Sequence, residues 1–216
     1  ANARSWRQTF SSVPAVLMTL GAIALVIALA RPRTRDDQTR VTSEGIAIMM
    51  VADLSSSMDA RDLVPEDILI NRLDVTKDVF VDFVFGTDNT AGKGRKSDLI
   101  GMVTFARYAD SICPLTSDHG NLANIVKDLE IVSLRSEDGT ALGDGLGLAV
   151  ERLRRSHAKS RVAILLTDGV TNAGAIEPLK AAELAQQLDI RVYCIGAGTR
   201  GVAPYPVVTS HGNIDY

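Results

Sequence analysis

The segment Gly45-Ile-Ala-Ile-Met-Met-Val-Ala-Asp53-Leu54-Ser55-Ser56-Ser57-Met58 decides the fold. Its apolar part is too short to cross a bilayer, which takes roughly 20 residues, and it lacks the polar alternation of a strand with one wet face. Such a run reads as a strand buried on both faces of a parallel sheet. Arg161-Val-Ala-Ile-Leu-Leu-Thr-Asp168 and Ile190-Arg-Val-Tyr-Cys-Ile-Gly196 have the same character and read as further central strands. Between them lie helical periods at Leu73, Lys77, Phe80 and Val84, at Leu142, Leu146, Ala149, Val150 and Leu153, and at Leu179, Leu184, Ala185 and Leu188. Strands alternating with helices imply a doubly wound, mostly parallel α/β sheet. Leu99 to Ala106 and Asp110 to Leu115 are separated only by Arg107 to Ala109, which leaves room for a hairpin alone, so one of them is an antiparallel edge strand.

Around this core the 216 residues are 46% hydrophobic and 23% charged, a globular composition. Neither the 17 glycines nor the 7 prolines follow a collagen period, and two cysteines make no disulfide scaffold. The net charge of −3 conceals a split: residues 1–40 hold six arginines against Asp36 and Asp37, giving +4, so the remainder carries −7. An acidic main domain argues against a nucleic-acid partner. The stretch from Gln8 to Ala30 is uncharged, with Arg4 and Arg7 before it and Arg31, Arg33 and Arg35 after it, and Trp6 suits a membrane interface. Residues 8–30 therefore read as a transmembrane helix, 31–44 as a polar linker and 45–216 as the folded domain. A secretory signal peptide is the rival reading, since Ala28-Leu29-Ala30 has the small-x-small cleavage form, but the apolar run is longer than the usual signal core.

The first strand delivers Asp53, Ser55 and Ser57 to the carboxyl edge of the sheet, where ligands of open α/β sheets bind. The strand at Arg161 ends in Asp168, and if the two strands are neighbours the carboxylates meet. Thr140 opens the helix leading into that second strand, so its hydroxyl reaches the same place. Taken singly, the serines and Thr140 read as helix caps and Asp168-Gly169 as a turn. Together they are five hard oxygen donors with no histidine or cysteine, a set suited to magnesium first, with manganese or calcium as alternatives.

With Asp-x-Ser-x-Ser at Asp53, Ser55 and Ser57, a distant Thr140 and a distant Asp168, the chain resembles the von Willebrand factor A (VWA) domain family and its metal-ion-dependent adhesion site (MIDAS). The resemblance implies that the hydroxyls contact a divalent cation, that the aspartates hold its water shell, and that a carboxylate from a protein partner fills an open position. It implies binding and no catalytic residue. The segment ending Ala-Leu-Ala-Arg-Pro32, Asn71-Arg72-Leu73 and Leu142-Gly-Asp-Gly-Leu-Gly-Leu-Ala-Val150 narrow the resemblance to the bacterial aerotolerance (Bat) membrane proteins. Members of that group are commonly encoded beside MoxR-type AAA+ ATPases. The implied setting is the bacterial inner membrane, with the domain on the periplasmic side and a MoxR-type ATPase and other Bat-like proteins as partners. Against the family pattern, the domain's last strand and helix are expected to be missing after Gly201.

A metal-dependent phosphohydrolase is the alternative, and needs a basic side chain beside the cluster together with a nucleophile or general base. Arg61 is the nearest basic candidate in the sequence. Gly196-Ala-Gly-Thr-Arg-Gly201 matches a dinucleotide fingerprint, but Pro204 and Pro206 deny it the helix that would hold a pyrophosphate. Gly86 to Lys93 departs from a P-loop in its spacing. His119, His157 and His211 read as surface residues, and Cys113 and Cys194 as free, mostly buried thiols. Asp59, Asp62, Glu137, Asp138 and Asp144 read as an acidic rim that would draw a cation.

Overall fold

The computed structural model describes residues 13–30, 45–64, 66–86, 94–199, 203–208 and 214–215. It divides into two units, Ala1–Val41 and Thr42–Tyr216. In the first, α1 (Val13–Ala30) is uncharged throughout and no residue of it is buried. Eighteen residues rising about 1.5 Å each give about 27 Å, long and apolar enough to cross a membrane. The arginines flanking α1, Trp6 and the linker 31–44 lie outside the described residues, as do 87–93 of the Gly86 to Lys93 segment and His211.

The second unit is built on a five-stranded sheet in the order β3-β2-β1-β4-β5. Its strands are β1 (Ala47–Asp53), β2 (Leu99–Phe105), β3 (Ala109–Thr116), β4 (Arg161–Thr167) and β5 (Arg191–Gly196). β1 pairs in parallel with both β2 and β4, β4 pairs in parallel with β5, and β2 and β3 form the antiparallel hairpin. The helices are α2 (Arg72–Phe85), α3 (His119–Lys127), α4 (Leu142–Arg154) and α5 (Pro178–Gln187). A separate antiparallel pair joins β6 (Val207–Val208) to β7 (Ile214–Asp215).

Every residue of β1 is buried because successive side chains enter two different cores. Ala47, Met49 and Val51 pack with Leu146, Ala149, Val150 and Leu153 of α4 and Ala181 and Ala185 of α5. Ile48, Met50 and Ala52 pack with Phe80 and Val84 of α2 and Leu122 and Val126 of α3. The central strand thus has no wet face, and its first chance to present polar chemistry is its carboxyl end at Asp53.

Two expectations are corrected. β5 is not central: among the described residues it pairs with β4 alone, and Tyr193, Cys194 and Ile195 are exposed, so of the two free thiols only Cys113 is buried. His119 is not a surface residue. It opens α3 on the buried face with Leu122, Ala123 and Val126, and its Nε2 lies 3.0 Å from the Asp98 carbonyl.

Candidate metal centre

The parallel pairing of β1 with β4, in register at Ala52 and Leu166, sets Asp53 beside Thr167 and brings Asp168 to the same edge. Asp53 is wholly buried. Its Oδ1 accepts from the Ser55 amide at 2.9 Å and the Ser55 hydroxyl at 2.6 Å, and its Oδ2 accepts from the Thr167 hydroxyl at 2.7 Å. Ser55 and Ser57 Oγ are 3.0 Å apart, and Ser57 Oγ donates to Asp168 Oδ1 at 2.7 Å. Asp53, Ser55, Ser57 and Asp168 therefore form one continuous hydrogen-bonded chain. Thr140 lies by the loop after Asp168: its Oγ1 is 3.9 Å from where a Cβ on Gly169 would stand.

The capping readings fail on geometry. Ser55 precedes a 3₁₀ turn, Ser56–Asp59, but its side chain makes no cap bond and turns to Asp53 instead. The cap position of α4 is Ala141, without a side-chain bond. Asp168 is no exposed turn residue, with a side chain only 1% exposed. The loops are locked together. Asp138 accepts from the Ser56 amide at 2.9 Å and its hydroxyl at 2.7 Å, which clamps the serine turn to the loop before Thr140. Thr140 N donates to Asn172 Oδ1 at 2.8 Å, and its carbonyl accepts from Thr171 Oγ1 at 2.9 Å, which ties Thr140 to the loop after Asp168.

The acidic rim is mostly committed to the protein. Asp138 faces Ser56, Asp144 accepts from the Ala175 and Ile176 amides, and Asp62 is held by an arginine. That arginine is Arg72, not Arg61, whose Nη1 bonds the Ile68 and Leu69 carbonyls. Arg72 is buried in the first turn of α2 and donates to both Asp62 oxygens at 2.7 Å and to Asp168 Oδ2. Sequence reasoning missed Arg72 and Thr167. A charged residue on the buried face of α2, beside Leu73 and Thr76, was the available signal for the first. Thr167 becomes visible only once β1 and β4 are aligned.

The electrostatics fit a cation. Burial raises the Asp53 carboxyl above its ordinary value, the bonds from Ser55 and Thr167 oppose this, and the nearby Asp168 adds to it. Among the described residues no basic side chain is paired with Asp53, and no three His, Cys, Asp or Glu side chains converge as a metal site. The candidate donors are thus two carboxylates and three hydroxyls, all hard oxygen.

Residues 47–212 match the family model of the von Willebrand factor type A domain. The chain belongs to that family. This A domain is similar to the crystal structure of BatB from Bacteroides thetaiotaomicron, with 29% identity, 79% of this chain and 78% of that chain covered, and a TM-score of 0.62. An aerotolerance-related membrane protein from Bacteroides fragilis gives 26% identity, coverage of 79% and 80%, and a TM-score of 0.62. Proximal thread matrix protein 1 of the mussel byssus, in a structure with a zinc-occupied MIDAS motif, gives 27% identity over 72% of this chain and 36% of that one, with a TM-score of 0.55. An uncharacterized protein of Borreliella burgdorferi is 33% identical over 83% of this chain. The chain spans about half the length of the curated relatives it matches.

The dinucleotide fingerprint has another use in the A domain. No helix follows it among residues 203–206, and Gly198 lies against Arg72, where a Cβ would come within 3.1 Å of Nη2. Thr199 donates its amide and hydroxyl to Asp62 Oδ2 at 2.9 and 2.6 Å. The Arg72 bond, with help from Thr199, holds the Asp62 carboxyl well below the usual carboxylate range. A depressed folded-state pKa contributes stability above the unfolded value, about 3.9, that is lost as pH falls through the folded one. Urea unfolding of the chelator-treated chain should therefore show Asp62→Asn less stable than wild type at pH 7, with the gap narrowing below about pH 4. A gap independent of pH would contradict this role.

Proposed function

We propose that the chain is a membrane-anchored A domain that binds a protein partner through a divalent cation held by Asp53, Ser55, Ser57, Thr140 and Asp168. The observation that carries this reading is the hydrogen-bonded run from Asp53 through both serines to Asp168, at the carboxyl edge of β1 and β4, with Thr140 beside Gly169, the residue after Asp168. Magnesium is the cation that suits these donors best, with manganese or calcium as alternatives. Bound there, the cation supplies a positive centre for a partner's Asp or Glu, and three neutral hydroxyls among five donors leave much of its charge uncancelled. Ser55 and Ser57 are aimed by Asp53 and Asp168, and Asp138 keeps their turn from drifting. A groove of about 900 Å³ opens beside the serine turn, bounded by Ser56, Arg107, Leu134, Arg135, Asp138 and Tyr205, and leaves room for the partner around its acidic residue.

The apolar helix α1 and the membrane-protein neighbour support membrane anchoring; the bacterial inner membrane, with the domain on the periplasmic side, is the setting proposed by analogy with the Bat group. A MoxR-type AAA+ ATPase and other Bat-like proteins are the partners we propose, by analogy with the Bat group. A hydrolytic reading gains nothing from Arg72, whose fork is spent on Asp62 and Asp168. The test is affinity capture from a detergent extract of the source cells with the full chain, with and without chelator, beside Asp53→Asn. The reading expects partners retained only by wild type with magnesium, an AAA+ ATPase among them. Partners retained equally under chelator would overturn it.

A further inference from the structure

We infer that Arg72 is a resident counter-cation of the metal centre, competing with the metal for Asp168 and so setting how tightly the site takes up a divalent ion; this rests on the metal reading above. Arg72 is 9% exposed. Its Nε and Nη2 make a two-pronged contact with Asp62, and its Nη1 donates to Asp168 Oδ2 and, at 3.4 Å, approaches the Ser57 carbonyl. Only a planar guanidinium can serve two carboxylates and a carbonyl in this way, since a lysine presents a single point of charge. Gly198 lets the segment after β5 close over the guanidinium.

The charges in this cluster explain why an arginine is there. Asp53 and Asp168 bring two negative charges to the site, Asp62, bound to the same guanidinium as Asp168, brings a third, and Arg72 brings one positive. The side chains of Asp62 and Asp168 are 4% and 1% exposed, so neither can rely on water. Without Arg72 the metal-free site would hold three unpaired buried carboxylates, a costly arrangement. With it, the remaining charge of −2 equals what one divalent ion cancels. Further charged groups on the flanking loops are Asp59, in the serine turn and 3.7 Å from Arg61, Asp138, turned to Ser56, and Arg107, whose Nε is on the Asp138 carbonyl at 3.2 Å. None of them is bonded to Asp168. Arg72 therefore acts in two directions. It keeps the domain folded before a cation arrives, and it weakens the cation's hold by occupying one oxygen of Asp168 and by like-charge repulsion.

The test is calorimetric titration of the full chain in detergent with magnesium, together with melting temperatures with and without magnesium, for wild type, Arg72→Gln and Arg72→Lys. Arg72→Gln should melt lower than wild type without metal, gain more from magnesium, and bind it about tenfold more tightly. Arg72→Lys, which restores the charge without the fork, should return the affinity toward wild type. A purely structural Arg72 would lower the melting temperature equally with and without magnesium and leave the affinity unchanged, which would overturn the inference. Weaker binding by Arg72→Gln would overturn it too. A wild-type chain that binds no cation would overturn the metal reading and this inference together, whereas normal wild-type binding with an unaltered variant would overturn this inference alone. Should Arg72→Gln fail to fold without metal, folding restored by magnesium supports the inference, and failure in both conditions counts against it.

Discussion

Asp53→Asn is expected to lower magnesium affinity by about 100-fold or more while leaving the metal-free domain at least as stable as wild type. The two effects have one cause. Asp53 is wholly buried with a carboxyl driven upward by burial, so its negative charge is a cost to the empty fold and an attraction to a cation. Asparagine keeps an oxygen for the Ser55 amide and hydroxyl, and its amide donates to the Thr167 oxygen in place of the bond the carboxylate accepted, so the bond count is kept and only the Thr167 proton must turn to a new acceptor. Removing charge without removing hydrogen bonds should therefore separate binding from folding. Calorimetric titration and urea unfolding in chelator measure the two. Destabilisation of the empty domain by more than about 1 kcal/mol would mean that Asp53 is chiefly a structural acceptor.

Gly143→Ala should cost about 3 kcal/mol, a large effect for one methyl group on a helix. A Cβ on Gly143 would overlap the Ile176 carbonyl group, standing only 2.7 Å from its carbon, and a backbone cannot yield as a side chain does. The first turn of α4 is pressed against residues 174–177, with Asp144 accepting from the Ala175 and Ile176 amides at 3.0 and 2.7 Å. Forcing them apart would also part Thr140, just before α4, from the loop that carries Asp168, so any folded Gly143→Ala should bind magnesium more weakly. Gly147, one turn on, is the control. Its Cβ would meet only the Ile176 Cδ1 at 3.1 Å, which can move, and alanine's helix preference of up to about 1 kcal/mol offsets the crowding. Urea midpoints compare the pair. Equal costs at the two positions would show that helix propensity, and not backbone approach, governs α4.

The parts of the molecule legible in the sequence were those whose physics is local. β1 and β4 could be read because a strand buried on both faces must be apolar at every position, and α4 because its buried residues repeat at helical spacing. That Asp53, Ser55, Ser57 and Asp168 meet could be read because strand ends fix where their side chains emerge. β5 misled for an instructive reason: an apolar run records that a strand suits burial, while its exposure depends on which neighbours cover it. α3 went unread although His119, Leu122, Ala123 and Val126 have the helical period, because the segment is short and begins with polar residues. Arg72 lay beyond local reading altogether. Its partners are 10 and 96 residues away, and only the packing of α2 beneath the loops after β1 and β4 brings them together.

The central claim is that these five residues hold one cation with a position open to a partner's carboxylate. The most direct measurement is electron paramagnetic resonance of the full chain in detergent titrated with manganese, with the bound water molecules counted before and after adding a short acidic peptide. The account predicts one manganese ion bound per chain and the loss of at least one bound water on adding the peptide, with no such loss for a peptide carrying amides in place of its acids. No bound manganese, or an unchanged water count at saturating acidic peptide, would contradict it.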